Sequence, residues 1–197
     1  MNISVPLTLP SEESDFYIQK NSLNTLKNYK EIGNNALWTL SSAKQGNGVF
    51  QLRDSNAETF WQSDGPIPHT IDIQFQQKVK ISHIAIYLDL KTDESYTPEI
   101  ISIRGGLNIQ YMKEIRLLKL ENPNGWIIVP LRWNGHDNVT KPYIYTMNLQ
   151  ISVLQMFHSG KDTHIRQVKI FGYEDQNLNH GKEDTPISSY FDDFTLR

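Results

Sequence analysis

Alternation of apolar and polar residues dominates the middle of the chain and predicts β-strands. In the clearest run, 146–153, Met147, Leu149, Ile151 and Val153 alternate with polar residues. Successive side chains of a strand point to opposite faces of a sheet, so this run predicts one buried face and one polar face. Further strands are predicted at 71–75, 79–88, 100–104, 114–120, 126–131 and 165–171.

One predicted strand lacks the alternation. Ile84-Ala-Ile-Tyr-Leu88 is apolar throughout, which is typical of a central strand covered on both faces. Seven or eight strands separated by turn residues, with almost no helix, predict an all-β antiparallel β-sandwich. The turns are marked by Gly65-Pro66, Gly105-Gly106, Asn122-Pro-Asn-Gly125 and Asn134-Gly135.

The two ends of the chain do not share this pattern. Residues 1–29 are polar and irregular, although loosely spaced apolar residues permit a short helix within 12–30. After Tyr173 the chain becomes polar again and ends in an acidic, aromatic stretch. We therefore predict an N-terminal extension (1–29), a β-sandwich domain (30–173) and a flexible C-terminal tail (174–197).

Composition narrows the classes of partner. The net charge of −3 gives no electrostatic basis for binding nucleic acid. No apolar run approaches the roughly 20 residues of a membrane helix, so no membrane partner is expected. Cysteine is absent, which fits a reducing, intracellular compartment and excludes thiol catalysis.

The most informative polar segment is Leu52–Gly65, which lies just before strand 71–75. It combines an arginine, acids and amides with Trp61. A dense polar loop leading into a sheet is a common way to present a binding surface. Two further loops, 91–97 and 158–166, carry hydroxyl groups and both signs of charge. Loops at one end of a sandwich cluster, so all three are candidate contacts for an extended peptide.

Catalysis is the weaker interpretation of this segment. Asp54, Glu58 and Asp64 include the two carboxylates that glycoside hydrolysis needs. Helix N-capping by Asp54 and a turn at Asp64-Gly65 are the favoured explanations of these acids. The six histidines are dispersed, so neither a metal site nor a cofactor is expected. We predict a binding protein, not an enzyme.

The tryptophans are expected to anchor the core rather than to stack on a ligand. This applies to Trp38, Trp61 and Trp126, whereas Trp133, beside Asn134-Gly135, is expected to be partly exposed.

The segment Leu52–Gly65 resembles the signature of the Doc domain. The matching residues are Leu52-Arg53-Asp54, Asn56, Glu58-Thr59, Trp61-Gln62-Ser63-Asp64-Gly65 and Pro68-His69. Further matches follow in order at 31–33, 38–42, 93–98 (Asp-Glu-Ser-Tyr-Thr-Pro), 125–127 and 160–167 (Gly-Lys-Asp-Thr-His-Ile-Arg-Gln). Together they span residues 30–173, which is most of the chain.

The resemblance implies a jelly-roll sandwich of the galactose-binding, discoidin-like type. It also implies a role in the anaphase-promoting complex, a multisubunit ubiquitin ligase of the nucleus and cytoplasm. There the Doc domain binds the destruction box, an Arg-x-x-Leu degron, together with a WD40 coactivator, and raises processivity in the cell cycle. The implied degron-binding residues are Arg53, Asp54, Asn56, Glu58, Ser63, Asp64, Ser95, Tyr96, Asp162, Thr163, His164 and Arg166. For Asp162 and Thr163, satisfying backbone groups within a turn is an equally good explanation.

The last two residues form a second candidate element. Doc-family proteins resemble one another in ending with Ile-Arg, which docks into a tetratricopeptide-repeat scaffold subunit, and a cullin-like core subunit lies nearby. This chain ends in Leu196-Arg197. Leu keeps the volume and apolarity of Ile but moves the branch point, so the resemblance implies docking that is weaker than with Ile. From the sequence alone, a frayed chain end is the favoured interpretation.

A different class of function stays open. The same fold hosts many carbohydrate-binding modules, and fold does not dictate function. Tyr96 or Trp133 would then serve as the aromatic platform for a sugar.

Overall fold

The computed structural model describes residues 18–19, 22–134 and 140–173. Strands dominate these ranges. Their bounds are β1 Ile18–Gln19, β2 Lys30–Glu31, β3 Ala36–Leu40, β4 Trp61–Gln62, β5 His69–Asp89, β6 Pro98–Gly106, β7 Lys113–Lys119, β8 Asn124–Pro130, β9 Trp133–Asn134, β10 Thr140–Lys141, β11 Ile144–Met156, β12 His164–Ile165 and β13 Gln167–Gly172. The α-helices are α1 Val49–Arg53 and α2 Leu90–Asp93, and 3₁₀ turns lie at Leu23–Leu26, Gly33–Asn35, Glu94–Tyr96, Ile109–Tyr111 and Phe157–Ser159.

The long strand β5 connects the two layers of the sandwich. Its first half pairs with β3 and with the second half of β11. Its second half pairs with β8 on one side and with β13 on the other. All of these pairings are antiparallel, and β11 continues through β6 to β7. The sandwich is therefore all-β and antiparallel, as the sequence pattern predicted.

The core lies between the layers and is built mainly from Ile, Leu and Val of β5, β6, β8, β11 and β13. A smaller cluster on the outer side of β5 contains Leu26, Ala85, Ile128 and Phe171. Ala85 is thus covered on the face opposite to Ile84 and Ile86, which confirms the prediction of a central strand buried on both faces. Burial of this kind contributes roughly 25 cal/mol per Å² of apolar surface removed from water.

The predicted strands are confirmed with small differences in their bounds. The segments 71–75 and 79–88 form one bent strand, because the exposed residues 76–78 continue the chain in extended form between the two layers. The short strands β3 and β4 and the helix α1 were not predicted. The permitted N-terminal helix corresponds to the turn Leu23–Leu26, and the rest of 12–21 lies outside the described residues apart from β1.

The tryptophans follow the sequence interpretation where they are described. Trp61 is 0% exposed, and its indole N–H donates to the carbonyl of Ser42 at 2.9 Å. Trp38 and Trp126 are half-buried and pack against the larger and the smaller cluster respectively. The side chain of Trp133 lies outside the described set, as do Leu196 and Arg197. None of the helices in the described ranges has the length and apolar character needed to cross a bilayer.

Candidate functional site

Three loops that are distant in sequence meet at one end of the sandwich. The segment 54–64 joins the segment 158–166 through the short pairing of β4 with β12. Beyond that pairing, the amide of Thr163 donates to Oγ of Ser63 at 2.8 Å, and the amide of Ser63 donates to the carbonyl of Thr163 at 3.1 Å. We call residues 54–64, 91–97 and 158–166 the loop rim.

The segment 91–97 packs against 158–166 at very short range. The hydroxyl of Thr163 donates to the carbonyl of Tyr96 at 3.2 Å. A Cβ atom added to Gly160 would lie 1.8 Å from the carbonyl oxygen of Ser95. Only glycine therefore allows the two backbones to approach this closely. Gly160 therefore sets the distance between the segments 91–97 and 158–166.

A buried ion pair lies beneath the rim. Arg166 donates from Nε and from a terminal nitrogen to the two carboxylate oxygens of Asp93, at 2.8 and 2.9 Å. Its remaining nitrogen donates to the carbonyl of Ala57 at 2.7 Å. Asp93 also accepts from Nδ1 of His164 at 3.2 Å. One arginine thus links all three segments of the rim, and two-pronged pairing of this kind fixes orientation as well as distance.

The protonation states of the pair follow from these contacts. Burial alone would raise the pKa of Asp93, but the hydrogen bonds from His164 and Arg166 outweigh burial and hold that pKa below its ordinary value. Burial alone would lower the pKa of Arg166, but Asp93, with smaller contributions from Asp89 and Glu58, raises it. Both groups are charged at neutral pH, so the loss of either partner would leave an uncompensated charge buried between the loops.

The ring of His164 is held between two aromatic rings. Phe60 stacks on it at a centroid distance of 4.1 Å, and Tyr96 stacks on it at 4.2 Å. Nε2 of His164 is buried and has no hydrogen-bond partner among the described residues. Tyr96 remains 39% exposed, so part of its ring faces solvent while the ring also stacks on His164.

A second hydrogen-bond network, centred on the side chain of Gln167, holds the 54–64 segment in place. The side-chain N–H₂ of Gln167 donates to the carbonyls of Gln51 and Asn56 and to Oδ1 of Asp54, at 2.8–2.9 Å. The side-chain oxygen of Gln167, Oε1, accepts from the backbone amide of Ser55 at 3.0 Å. Arg166 and Gln167 are neighbours at the start of β13. Together they hold the 54–64 segment and, through Asp93, the 91–97 segment.

Asp54 does not begin a helical turn, contrary to the N-cap interpretation. It follows the end of α1, and its Oδ1 accepts from the amide of Asn56 at 2.8 Å. Its other oxygen accepts from the hydroxyl of Thr59 at 2.7 Å. Burial would raise the pKa of Asp54, whereas the hydrogen bonds from Asn56, Thr59 and Gln167 lower it below its ordinary value. Its lone pairs are therefore largely used within the loop.

Arg53 belongs to a separate cluster beside α1. Its guanidinium donates to the carbonyl of Val168 at 2.5 Å, to Glu31 at 3.0 Å and to Asn34 at 2.8 Å. It also lies over the ring of Trp38 at 4.5 Å. Arg53, Glu31, Asn34 and Val168 line a cavity of about 160 Å³. The internal contacts of Arg53 tie α1 to the neighbouring strands.

The polar side chains that remain accessible define what the rim can do. Asn56, Glu58, Asp64, Glu94 and Tyr96 are exposed, as are Lys91, His158 and Lys161. They offer carboxylates, ammonium groups, an imidazole, an amide and one aromatic ring on a pre-organised backbone, which suits recognition of peptide backbone and polar side chains. The described residues contain no group of three or more His, Asp or Glu side chains placed to hold a metal ion.

Comparison with known proteins identifies the family. The family model described as anaphase-promoting complex, subunit 10 matches residues 10–190. The chain belongs to that family.

Similar proteins agree with this assignment. Anaphase-promoting complex subunit 10 of Homo sapiens is 52% identical over 142 residues, which cover 72% of this chain and 74% of the relative. The protein of the same name in Schizosaccharomyces pombe is 37% identical over 161 residues, covering 82% and 83%. Anaphase-promoting complex subunit DOC1 of Saccharomyces cerevisiae is 33% identical over 136 residues, covering 69% and 53%.

Solved structures of carbohydrate-binding modules share the fold. The family 32 module of Clostridium perfringens NanJ, in complex with galactose, is 14% identical with a TM-score of 0.58, covering 73% of this chain and 98% of that one. Two such modules of ZmpB from the same organism, in complex with GalNAc, give 10% identity and a TM-score of 0.64, covering 80% and 39%. At these identities the likeness establishes the galactose-binding jelly roll and nothing about the ligand.

The structure brings most of the predicted degron-binding residues together but divides them into two kinds. Asn56, Glu58, Asp64 and Tyr96 are exposed, and Ser95 and Asp162 are half-buried. Arg53 and Asp54 are half-buried and bonded within the protein. In contrast, Ser63, Thr163, His164 and Arg166 are buried. The first group is therefore accessible from solvent, while the buried residues hold the loops in place.

Three residues of the site were not singled out from the sequence. They are Phe60, Asp93 and Gln167. Asp93 opens the Asp-Glu-Ser-Tyr-Thr-Pro run and Gln167 closes the Asp-Thr-His-Ile-Arg-Gln run. For Asp93 and Gln167, the available signal was therefore their place in these two motifs. Their hydrogen-bond partners lie far away along the chain.

Proposed function

We propose that this chain is a subunit of an anaphase-promoting complex and that its loop rim is a weak co-receptor for the destruction box. It acts beside a WD40 coactivator and performs no chemistry of its own. The proposal is supported by family membership, since the relatives at 52% and 37% identity are named as subunits of that complex. The observation that carries it is the Asp93–Arg166 pair, which holds three loops together and leaves Tyr96 exposed above them.

The mechanism is avidity. A surface that binds a peptide at millimolar strength contributes about −4 kcal/mol by itself. When a coactivator already holds the same peptide, the rim meets it at an effective concentration in the millimolar range and raises the affinity by roughly 10²-fold. Gains of this type slow dissociation more than they speed association. A longer residence time lets more ubiquitins be attached in each encounter.

The test removes the exposed ring of Tyr96, and with it one stacking contact to His164, but none of the hydrogen bonds between Asp93 and Arg166. Tyr96→Ala should shorten the residence time of a destruction-box substrate on the reconstituted complex and lower the number of ubiquitins added per encounter. Tyr111→Ala is the matched control, because Tyr111 is 76% exposed on a separate turn. Equal residence times for the two variants, both incorporated normally, would refute the rim as a co-receptor.

We propose that the C-terminal end of the chain also contributes to docking. By resemblance, Leu196-Arg197 inserts into a tetratricopeptide-repeat scaffold subunit, while the folded domain contacts the cullin-like core. Deletion of the two residues should increase the dissociation rate of the chain from the complex. An unchanged rate would show that the dipeptide is idle.

The rival function is carbohydrate binding, which the fold of the galactose and GalNAc complexes suggests. A glycan array and a titration with a destruction-box peptide, both on the full-length chain, separate the two. Specific binding to a glycan without binding to the peptide would favour the rival.

A further inference from the structure

Five aromatic rings form a continuous row away from the loop rim. Neighbouring centroids are 5.3 Å apart for Tyr145 and Tyr143, 5.4 Å for Tyr143 and Tyr173, 5.4 Å for Tyr173 and Tyr29, and 4.8 Å for Tyr29 and His83. The rings are tilted by 60–87° to one another. We call these five residues the ring row.

The strands place the ring row at the opposite end of the sandwich from the rim. The strand β13 begins at Gln167, beneath the rim, and ends just before Tyr173. The strand β11 ends beside the rim, where the amide of Phe157 donates to the carbonyl of Thr97, and it begins next to Tyr143. The amide of Tyr173 donates to the carbonyl of Lys80, just past the bend of β5. A partner bound to the row would therefore leave the rim accessible.

The row has the composition of a protein-binding surface. Tyr145 is 51% exposed and Tyr173 is 36% exposed, while the other three rings are partly buried and rigidly packed. Tyrosine is enriched in binding hot spots, because it buries a large apolar area and keeps a hydroxyl available for hydrogen bonds.

The electrostatic environment of the row is cationic. Nζ of Lys80 lies 5.8 Å from the ring centre of Tyr143 and 5.5 Å from that of Tyr145. Burial, followed by the charge of Arg132, lowers the pKa of His83. The positive charge of Lys141 acts on Tyr143 in the same way. Lys80, Arg132 and Lys141 thus place positive charge beside three of the five rings, His83, Tyr143 and Tyr145.

We propose that the ring row binds an acidic segment of another subunit of the complex. The carboxylates of that segment would pair with Lys80 and Arg132 and accept hydrogen bonds from tyrosine hydroxyls, while its backbone lies across the tilted rings. This inference rests on the proposed function, since it takes the partner from the same assembly. It explains how the domain is anchored at one end while the other end faces substrate.

The position of the partner is tested by photo-cross-linking. Benzoylphenylalanine replaces Tyr145 in the full-length chain, the complex is reconstituted and irradiated, and the linked peptides are identified by mass spectrometry. We expect a cross-link to an Asp- and Glu-rich segment of a neighbouring subunit. The same probe in place of Tyr111 is the control and should not label that segment. Cross-links only to residues 174–197 of this chain, or to no protein, would overturn the proposal.

The chemistry of the contact is tested by charge reversal. Lys80→Glu with Arg132→Glu should weaken binding of the chain to the complex lacking it by about tenfold or more, mainly at low ionic strength, since screening removes the effect at high salt. Lys113→Glu with Lys119→Glu, on β7, is the matched reversal and should change binding little. Thermal melting checks that both double variants are folded.

The outcomes separate this inference from the proposed function. If the wild-type chain does not bind the complex at all, the proposed function is wrong. If the wild-type chain binds and the Lys80, Arg132 double variant binds equally well at low salt, the role of the ring row is wrong and the proposed function stands.

Discussion

Arg166 and Asp93 form a two-pronged ion pair at 2.8 and 2.9 Å, with relative exposures of only 5% and 6%. The two residues are separated by 73 positions in the chain. Each lies in a different loop, and the guanidinium also reaches the carbonyl of Ala57 in the third. This pair is the main polar link within the loop rim, so both stability and binding should depend on it.

Removal of one partner of this pair should be strongly destabilising. Asp93→Ala leaves the charge of Arg166 buried without its counter-charge, which typically costs about 3 to 5 kcal/mol. Urea unfolding of the variant and the wild type measures the loss. Asp64→Ala is the control, because Asp64 is exposed on the same rim and its loss should stay within about 0.5 kcal/mol. A loss for Asp93→Ala no larger than that of the control would contradict the role of the pair.

The contribution of Asp93 should disappear in acid. Its pKa is lower in the folded protein than in the unfolded chain, so the unfolded chain binds more protons as the pH falls. The stabilisation is complete above the ordinary carboxyl pKa of about 3.9 and is lost as the pH falls through the lower, folded pKa. Unfolding free energies of the wild type and Asp93→Asn should therefore converge below about pH 4. A gap that stays constant from neutral to acid pH would rule this out.

The close approach at Gly160 predicts a steric effect on the rim. The backbone of Gly160, at φ −58° and ψ 156°, suits any residue, so the obstacle to Gly160→Ala is steric: chiefly the carbonyl of Ser95, with Cβ of Met156 at 3.3 Å. The two loops must separate, at a cost of about 1 to 3 kcal/mol, and degron binding should weaken with them. Gly48→Ala is the matched control, since nothing lies within 4 Å of an added Cβ there. Thermal melting and substrate residence time report the two effects, and equal values for both variants would be evidence against a steric limit.

Gln167 supplies the test of the second network. In Gln167→Glu, a carboxylate oxygen would replace the N–H₂ group that faces Asp54 and the carbonyls of Gln51 and Asn56. Because buried acceptors would then face one another, we expect a loss of about 2 kcal/mol or more in unfolding free energy. The same exchange at the exposed Gln76 should have little effect. Similar stability of the two variants would mean that the 54–64 segment is held by other contacts.

The strands were predictable because their cause is local. Alternation with a period of two sets which side chains face the core, and this property survives in any sandwich that buries one face of each strand. Ile84–Leu88 shows the same logic for a strand buried on both faces. The short strand β3 and the joining of 71–75 to 79–88 were missed, because pairing partners rather than local pattern extend those segments.

The candidate site was only partly predictable. Its three loops and most of its residue types could be read from polar composition and from the resemblance to the Doc domain. The division into exposed and buried residues could not, because a polar side chain is buried only when a distant loop supplies its partner. Ser63 meets Thr163 across 100 positions, and the sequence contains no local sign of that contact.

The sequence by itself determined the sandwich architecture, the location of the candidate loops and the family, because all three are encoded by short-range patterns and motifs. Only the tertiary structure decided that Asp93, Arg166 and Gln167 support the rim while Tyr96 and Glu58 face outward, and that five aromatic residues from separate segments line up at the far end. The physical reason is that burial and pairing depend on which segments the folded chain brings within a few ångströms of one another, and a linear pattern does not specify those distances.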